Sequence, residues 1–322
     1  MPGLREPAVV RTFDAPEALD TRFYEVHARS AINAVPERLR MPFRFTINPY
    51  RGCAHACIYC FARPTHTYLG FDAGRDFERE IVVKVNVPEL VRAELGKPSW
   101  RGAHVALGTN TDPYQWVESK YRLLPGVWEA MRDFSNPCSV LTKSPLLLRD
   151  LPLFKEIAAR TEFVANLSVP TLDEKAWRAS EPHTPHPKTR LAAVGELNRA
   201  GIPTGVLIAP LMPGINDDPG QVEQILELAG EMGATSVGGI GLHLRGEVKD
   251  VFMDWLRQYR PDLVQYYERM YGRGAYLPKA ESARLAKLAQ GRRRPRRFLR
   301  PAAPLGETLD RVAVASQQPK LF

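Results

Sequence analysis

The sequence predicts an α/β protein built on a parallel sheet, and three features of the chain support this fold class. Short apolar segments alternate with amphipathic segments of about 10–15 residues, which is the pattern of strands joined by crossover helices. At least five such strand–helix units follow one another. Polar clusters come directly after the apolar segments, where active residues lie in parallel-sheet folds. An open sheet and a full or partial barrel both fit this pattern.

The strands are predicted where apolar and β-branched residues alternate or run together between turn residues. The predicted strands are 43–48, 80–87, 103–107, 139–142, 163–169, 204–209 and 234–240. Polar clusters follow at 51–60, 108–112, 142–144, 166–169 and 209–217. Because the carboxyl ends of parallel strands meet at one edge of a sheet, we expect these clusters to lie close together.

The helices are predicted from apolar residues at helical spacing and from end signals. Gly201 ends one helix, and Asp217 or Asp218 is the expected N-cap of another. The predicted helices are 88–95, 126–134, 147–160, 188–200 and 221–232. Residues 1–40 are predicted to be an irregular extension because four prolines interrupt them.

Beyond Val248 the chain is predicted to be helical and rich in aromatic residues. Aromatic side chains near helical spacing are expected to pack in a core, and the alternative is base stacking beside a basic segment. The residues concerned are Trp255, Tyr259, Tyr266, Tyr267 and Tyr271.

The composition is that of a globular protein: 44% of the 322 residues are hydrophobic and 25% are charged. The mean hydropathy is −0.29, and no apolar run approaches the length of a membrane-spanning helix. No signal-peptide pattern opens the chain, so a cytoplasmic location without membrane attachment is expected.

The net charge of +8 is concentrated near the C-terminus. Residues 284–300 contain eight Lys and Arg side chains and no acid, so the rest of the chain is close to neutral. A run such as Arg292–Arg300 is typical of phosphate-backbone binding, which makes a nucleic acid a candidate partner. The alternative is a solvated basic tail.

Three of the four cysteines lie in one short motif, Cys53-x3-Cys57-x2-Cys60, and Cys138 stands alone as an expected buried core thiol. A tight thiol cluster in a chain without a leader indicates metal rather than disulfides. Three thiolates can hold three irons of a [4Fe–4S] cluster and leave the fourth iron open to a substrate or cofactor. Two alternatives remain: a zinc ion, or an electron-transfer cluster, completed by His55, His66 or Cys138.

The motif, with Tyr59 before its last cysteine, resembles the signature of the radical S-adenosylmethionine (SAM) superfamily. The resemblance implies a [4Fe–4S] cluster on Cys53, Cys57 and Cys60 whose open iron binds SAM. It implies reductive cleavage of SAM to a 5′-deoxyadenosyl radical that abstracts hydrogen, with an external flavodoxin- or ferredoxin-like electron donor. It also implies a partial (β/α)6 TIM-like barrel, here with a helical C-terminal extension. The predicted domains are 1–40 (extension), 41–245 (radical SAM core), 246–290 (helical region) and 291–322 (basic tail).

Residues 41–250 further resemble the spore photoproduct lyase-like, or DNA repair photolyase-like, branch. The resemblance implies that SAM is contacted by Tyr59, Thr111, Lys143, Ser168 and Arg190. Arg190 could instead pair with Glu181, and Asp112 could serve only to cap a loop.

One position departs from the lyases. Thr109 occupies the place of the lyase cysteine that returns hydrogen to the product, and a threonine O–H bond is too strong for that role. This departure argues against spore photoproduct repair itself. The resemblance implies a radical SAM enzyme whose substrate the sequence does not identify, with a nucleic acid lesion or modified nucleotide as the candidate. The alternative is a nucleic-acid-binding protein with a structural zinc or electron-transfer iron–sulfur site.

Overall fold

The computed structural model describes residues 8–37 and 41–290, and its strands form two sheets. The strands are β1 (Val9–Arg11), β2 (Arg22–Val26), β3 (Ile32–Ala34), β4 (Phe45–Ile47), β5 (Tyr50–Arg51), β6 (Glu80–Lys84), β7 (Val105–Leu107), β8 (Cys138–Thr142), β9 (Phe163–Ser168), β10 (Thr204–Leu211) and β11 (Val237–Gly241). The larger sheet has the order β11-β10-β9-β8-β7-β4-β3.

Six strands of the larger sheet, β4 and β7 to β11, are parallel neighbours in chain order. Strand β3 adds to the β4 edge in the antiparallel sense. Helices connect the parallel strands, so the architecture is the partial (β/α)6 barrel that the family resemblance implies.

The helices that connect and flank these strands are mostly short. They are α1 (Arg75–Arg79), α2 (Val87–Leu95), α3 (Glu118–Tyr121), α4 (Leu123–Asp133), α5 (Leu151–Ala158), α6 (Glu174–Ser180), α7 (Pro187–Arg199), α8 (Pro219–Glu231), α9 (Val248–Tyr259), α10 (Val264–Met270) and α11 (Lys279–Leu288). Short 3₁₀ segments occur at Pro16–Ala18, Arg63–Leu69, Pro145–Asp150 and Pro261–Leu263. As the sequence predicts, Asp218 caps α8 by accepting from the backbone N–H of Gln221.

The main core lies between the parallel sheet and its helices. Strands β8 and β9 alternate buried and half-buried residues, so one face of each packs against helices. Trp128 of α4 is fully buried and meets Phe154 and Phe163 edge-on. Replacing a buried aromatic side chain of this kind by alanine costs about 3–5 kcal/mol, so the packing of Trp128 contributes strongly to the stability of the fold.

One prediction about the N-terminal part is wrong, and one predicted strand forms in a different sheet from the other strands. The first 40 residues are not wholly irregular, since they contain β1, β2 and β3. The predicted strand at 80–87 forms as β6 but lies in the smaller sheet, of order β1-β2-β6-β5, and not in the barrel. Alternation of apolar and polar residues identifies a strand but does not reveal which strand it pairs with. Here the buried Glu80 of β6 forms an ion pair with Arg22 of the neighbouring β2 at 2.5 Å.

Helix α11 covers the edge of the barrel at β11, and the glycines of β11 permit this contact. A Cβ on Gly239 would lie 2.3 Å from the Ala289 Cβ, and one on Gly241 would lie 2.8 Å from Leu277. Tyr267 and Tyr271 are buried beneath this region and donate to backbone carbonyls, so both are packing residues, as expected.

The basic run Arg292–Arg300 and the predicted tail 291–322 lie outside the described residues. Within 8–37 and 41–290, no helix has both the length and the apolar character needed to cross a bilayer.

Candidate active site

The cysteine loop leaves β5 at the carboxyl end of the first parallel strand, β4. Gly52, immediately before Cys53, has φ +79°, and a Cβ there would lie 2.9 Å from His66, Ile81 and the carbonyl of Phe77. Only glycine fits this turn without displacing its neighbours. Cys53 and Cys57 are buried, Cys60 is half-buried, and none of the three is in a disulfide.

Arg63 braces the cysteine loop from within. Its fully buried guanidinium donates to the carbonyls of Ala56 and Cys57 at 3.1 and 3.0 Å, and pairs with Glu78 at 2.5 Å. Sequence reasoning did not select Arg63, because an arginine near a motif is usually a surface residue. Its place three residues after the last cysteine was the available signal.

The thiols of the cysteine loop are surrounded by apolar groups and by two cations. Burial and Cys53 raise the pKa of the Cys60 thiol to about 11, while Arg63 and Lys143 oppose that rise. Free thiols in one enclosed loop with cations nearby are a donor set that fits an iron–sulfur cluster.

Among the described residues, no three or more His, Cys, Asp or Glu side chains are grouped so as to hold a single metal ion.

Two of the three residues that could complete a zinc site are placed or engaged elsewhere. His66 Nε2 lies 2.9 Å from the carbonyl of Glu80, the backbone partner expected of a loop histidine. Cys138 is the first residue of β8, fully buried at the opposite end of the barrel, and burial raises the pKa of its thiol. His55 Nδ1 lies 3.4 Å from an Asp112 carboxylate oxygen and makes no hydrogen bond, and His55 also interacts with Cys53. The placement of Cys138 and the partner of His66 therefore argue against these two as a fourth zinc ligand, whereas His55 lies beside the thiols.

Asp112 organises the loop after β7. Its carboxylate accepts from Thr142 Oγ1 at 2.6 Å and from the backbone N–H groups of Lys143 and Tyr114 at 2.7 and 2.9 Å. Burial alone would raise the pKa of Asp112, but His55 and these hydrogen bonds lower it. The expectation that Asp112 holds a loop therefore agrees with its contacts.

The hydroxyl of Thr111 is also buried, and it donates to the carbonyl of Tyr50 at 3.2 Å. Residue 108 before this loop must be glycine, because a Cβ there would lie 1.8 Å from the carbonyl oxygen of Leu141. Thr109 is half-buried at the carboxyl end of β7.

Three of the five residues that the resemblance assigns to SAM contact one carboxylate, Glu181, and a fourth, Ser168, is joined to them through Lys143. Lys143 Nζ lies 2.7 Å from Glu181 Oε1 and donates to Ser168 Oγ at 2.7 Å. Tyr59 donates its phenolic hydrogen to Glu181 Oε1. Arg190 pairs with Glu181 Oε2 at 2.6 Å.

Glu181 is completely buried, and its charge is set by these neighbours. Burial alone would raise the pKa of Glu181, but Arg190 and Lys143 outweigh it and lower the pKa to about 2. The carboxylate is therefore ionised at neutral pH and holds both cations in place.

Arg190 is enclosed and uses its donors within the protein. It donates to the carbonyls of Pro185 and Ser168 at 2.8 and 2.9 Å, as well as to Glu181. Of the two roles that the sequence left open for Arg190, the structure shows the ion pair with Glu181. Lys143 and Ser168, in contrast, lie at strand ends, and the Lys143 side chain is 14% exposed.

The comparisons with known proteins identify the family of this chain. The family model of the radical SAM superfamily matches residues 47–237, which is more than half of the chain. The chain therefore belongs to the radical SAM superfamily. It is a radical SAM enzyme, and its cofactors are a [4Fe–4S] cluster and SAM.

The relatives extend the comparison. The chain is 46% identical over 278 residues to the uncharacterized protein Rv2578c of Mycobacterium tuberculosis, a match that covers 86% of this chain and 82% of that protein. It is 28% identical over 174 residues to the uncharacterized protein MJ0683 of Methanocaldococcus jannaschii, covering 54% of this chain and 62% of that protein.

Its fold is similar to that of spore photoproduct lyase complexed with dinucleoside spore photoproduct. The TM-score is 0.61 at 17% identity, with 83% of this chain and 77% of that one covered.

Proposed function

We propose that this radical SAM enzyme abstracts a hydrogen atom from a nucleic acid lesion or modified nucleotide, with its cluster held by Cys53, Cys57 and Cys60. The observation that carries the proposal is the pairing of two features at the same end of the barrel. One is a buried loop with three free thiols. The other is the network in which Lys143 and Ser168, at the ends of adjoining strands, meet Glu181, which follows α6.

The loop residues would hold the cluster through three thiolates and leave one iron for SAM. When bound and reduced, a cluster held there would supply the electron for the reductive cleavage of SAM with which hydrogen abstraction from the substrate begins. The protein would contribute a rigid and enclosed setting. Arg63 serves this purpose by fixing two loop carbonyls from inside the core.

The strand-end residues would bind and orient SAM. The Lys143 ammonium is suited to the carboxylate of SAM, and the Ser168 hydroxyl to a polar atom beside it. Tyr59 and Arg190 act in this proposal as positioning residues, since both bond to Glu181. Thr111 would also act indirectly, since its hydroxyl donates to the carbonyl of Tyr50 and so fixes the backbone that leads into the cysteine loop.

The nucleic acid part of the proposal has two supports. The excess positive charge of the chain lies in residues 284–300, as expected for contact with a phosphate backbone. A structure of similar fold, spore photoproduct lyase, was solved with a dinucleoside spore photoproduct. The electron donor would be a flavodoxin- or ferredoxin-like protein of the cytoplasm.

The test uses nucleic acids carrying deuterium in their bases and sugars. The reconstituted and reduced enzyme is incubated with SAM and either irradiated DNA, intact DNA or modified RNA. The proposal predicts deuterium in 5′-deoxyadenosine from at least one of these pools. Vigorous SAM cleavage with no deuterium transfer from any of them would show that the substrate is not a nucleic acid. Cys57→Ala is the matched variant expected to give no cleavage.

A further inference from the structure

Three aromatic rings form a row beside the cysteine loop, where the last barrel strand ends. Phe61 directly follows Cys60, and its ring centroid lies 6.0 Å from that of His243. His243 in turn lies 5.8 Å from Tyr276. The rings are tilted by only 40° and 35° to one another, so neither contact is edge-on. We call Phe61, His243 and Tyr276 the aromatic row.

The backbone holds the aromatic row in place from both sides. Residues His243 and Tyr276 form an antiparallel bridge, and the N–H of Leu244 donates to the carbonyl of Ala275 at 2.8 Å. The position of a Cβ on Gly246 lies 3.8 Å from Pro64, so the segment after β11 approaches the segment after the cysteine loop. The row is therefore a fixed surface shared by two parts of the chain.

The two ends of the aromatic row face solvent. Phe61 is 51% exposed and Tyr276 is 56% exposed. A single exposed aromatic residue is ordinary, but a connected row next to a cofactor loop indicates a binding surface. Ile240 of β11, three residues before His243, is also 47% exposed and extends the apolar character toward the strand.

A cation lies at one end of the row. The exposed Arg245 guanidinium sits 5.0 Å from the Tyr276 ring centroid and donates to its hydroxyl. Burial lowers the pKa of His243 and Arg245 lowers it further, against a hydrogen bond with the backbone of Gly241 that raises it, so the neutral form of the middle ring is favoured. Flat neutral rings beside positive charge match a ligand that has both aromatic faces and anions.

We propose that the aromatic row is a stacking platform for unpaired bases of a single-stranded nucleic acid, with Arg245 against the phosphates. Every base has a π face, whereas a base within a duplex has both faces covered by its neighbours. The platform would hold unpaired bases next to the cysteine loop. This inference rests on the proposed function and makes it more specific, since it names single-stranded nucleic acid as the form that binds.

The platform is tested by fluorescence anisotropy of a labelled oligothymidylate of about 12 nucleotides with the reconstituted full-length protein. Phe61→Leu and Tyr276→Leu keep apolar bulk but remove the π face. Each is expected to weaken binding about 10-fold, in line with the stacking of one base. Phe134→Leu is the matched control, since Phe134 is 42% exposed at the end of α4, and it is expected to bind as the wild type does.

Arg245→Gln is expected to lower the salt dependence of binding by about one phosphate contact. Wild-type affinity in both Phe61→Leu and Tyr276→Leu would overturn the proposal. So would equal affinity for the matching duplex, or equally strong competition by a polyglutamate peptide, which carries charge without bases.

This measurement requires neither SAM nor a reductant, so failure of the platform and failure of the radical chemistry are distinguishable. Iron content is measured in each variant, because Phe61 adjoins Cys60. If Phe61→Leu loses its cluster, Tyr276→Leu decides the question.

Discussion

Replacing Glu181 by glutamine tests whether one buried carboxylate holds the proposed SAM pocket together. A carboxyl whose pKa is about 2 instead of an ordinary 4.5 contributes roughly 3 kcal/mol to the free energy of unfolding at pH 7. Removing one partner of a buried ion pair costs a similar amount, about 3–5 kcal/mol. Glu181→Gln leaves the charges of Arg190 and Lys143 without their counter-ion, so we expect a loss in this range.

The assay is thermal or urea unfolding of the wild type, Glu181→Gln and the control Glu174→Gln. Glu174 pairs with Arg178 on nearby α6, where both side chains are more than half exposed. Such exposed pairs contribute less than about 1 kcal/mol, so the control should unfold close to the wild type.

The pH dependence of the free energy of unfolding gives a second test of the same variant. Because the folded pKa of Glu181 is lowered, its contribution is fully present above pH 4.5 and is lost as the pH falls toward 2. The difference between wild type and Glu181→Gln should shrink over that window. Equal stability of Glu181→Gln and Glu174→Gln at pH 7 would refute the reasoning.

Three further predictions concern a glycine, two cysteines and a lysine. Gly108→Ala is expected to destabilise the fold by about 3 kcal/mol or more in thermal unfolding, because its Cβ would meet the Leu141 carbonyl. The control Gly102→Ala has a positive φ but open space around the new Cβ, so it should cost only about 1 kcal/mol. Equal costs would contradict this. Cys138→Ala is expected to keep the iron content of the wild type and Cys57→Ala to lose it, by iron analysis after reconstitution; iron loss in Cys138→Ala would restore the four-ligand alternative. Lys143→Met is expected to weaken SAM binding at least about 10-fold in a spectroscopic titration, whereas the control Lys155→Met, at an exposed position, should bind SAM as the wild type does. Equal SAM affinities of the two variants would show that Lys143 does not bind SAM.

The sequence was informative where chemistry is local. The C-x3-C-x2-C spacing predicted a thiol cluster, and the strand–helix alternation predicted the parallel sheet, because both signals depend on residues close in the chain. The ion pair between Arg190 and Glu181 was also one of the two roles that the sequence predicted for Arg190. The positions of Lys143 and Ser168 at strand ends followed from the rule that polar residues gather there.

Contacts between distant segments could not be predicted in the same way. The role of Glu181 as a shared partner depends on Tyr59, Lys143 and Arg190 converging from three elements. Strand β6 shows the same limit, since its alternation does not reveal that it pairs with β2 and β5. The aromatic row was missed because His243 and Tyr276 are far apart in sequence and come together only through the packing of α11 on β11.

The most direct measurement is SAM cleavage by the anaerobically reconstituted and reduced protein. Iron content, the electron paramagnetic resonance signal with and without SAM, and 5′-deoxyadenosine are followed in the wild type and Cys57→Ala. We predict about four irons per chain, a signal that changes on addition of SAM, and 5′-deoxyadenosine only in the wild type. Zinc in place of iron, or a cluster that does not respond to SAM, would contradict the assignment of Cys53, Cys57 and Cys60 to a SAM-binding cluster.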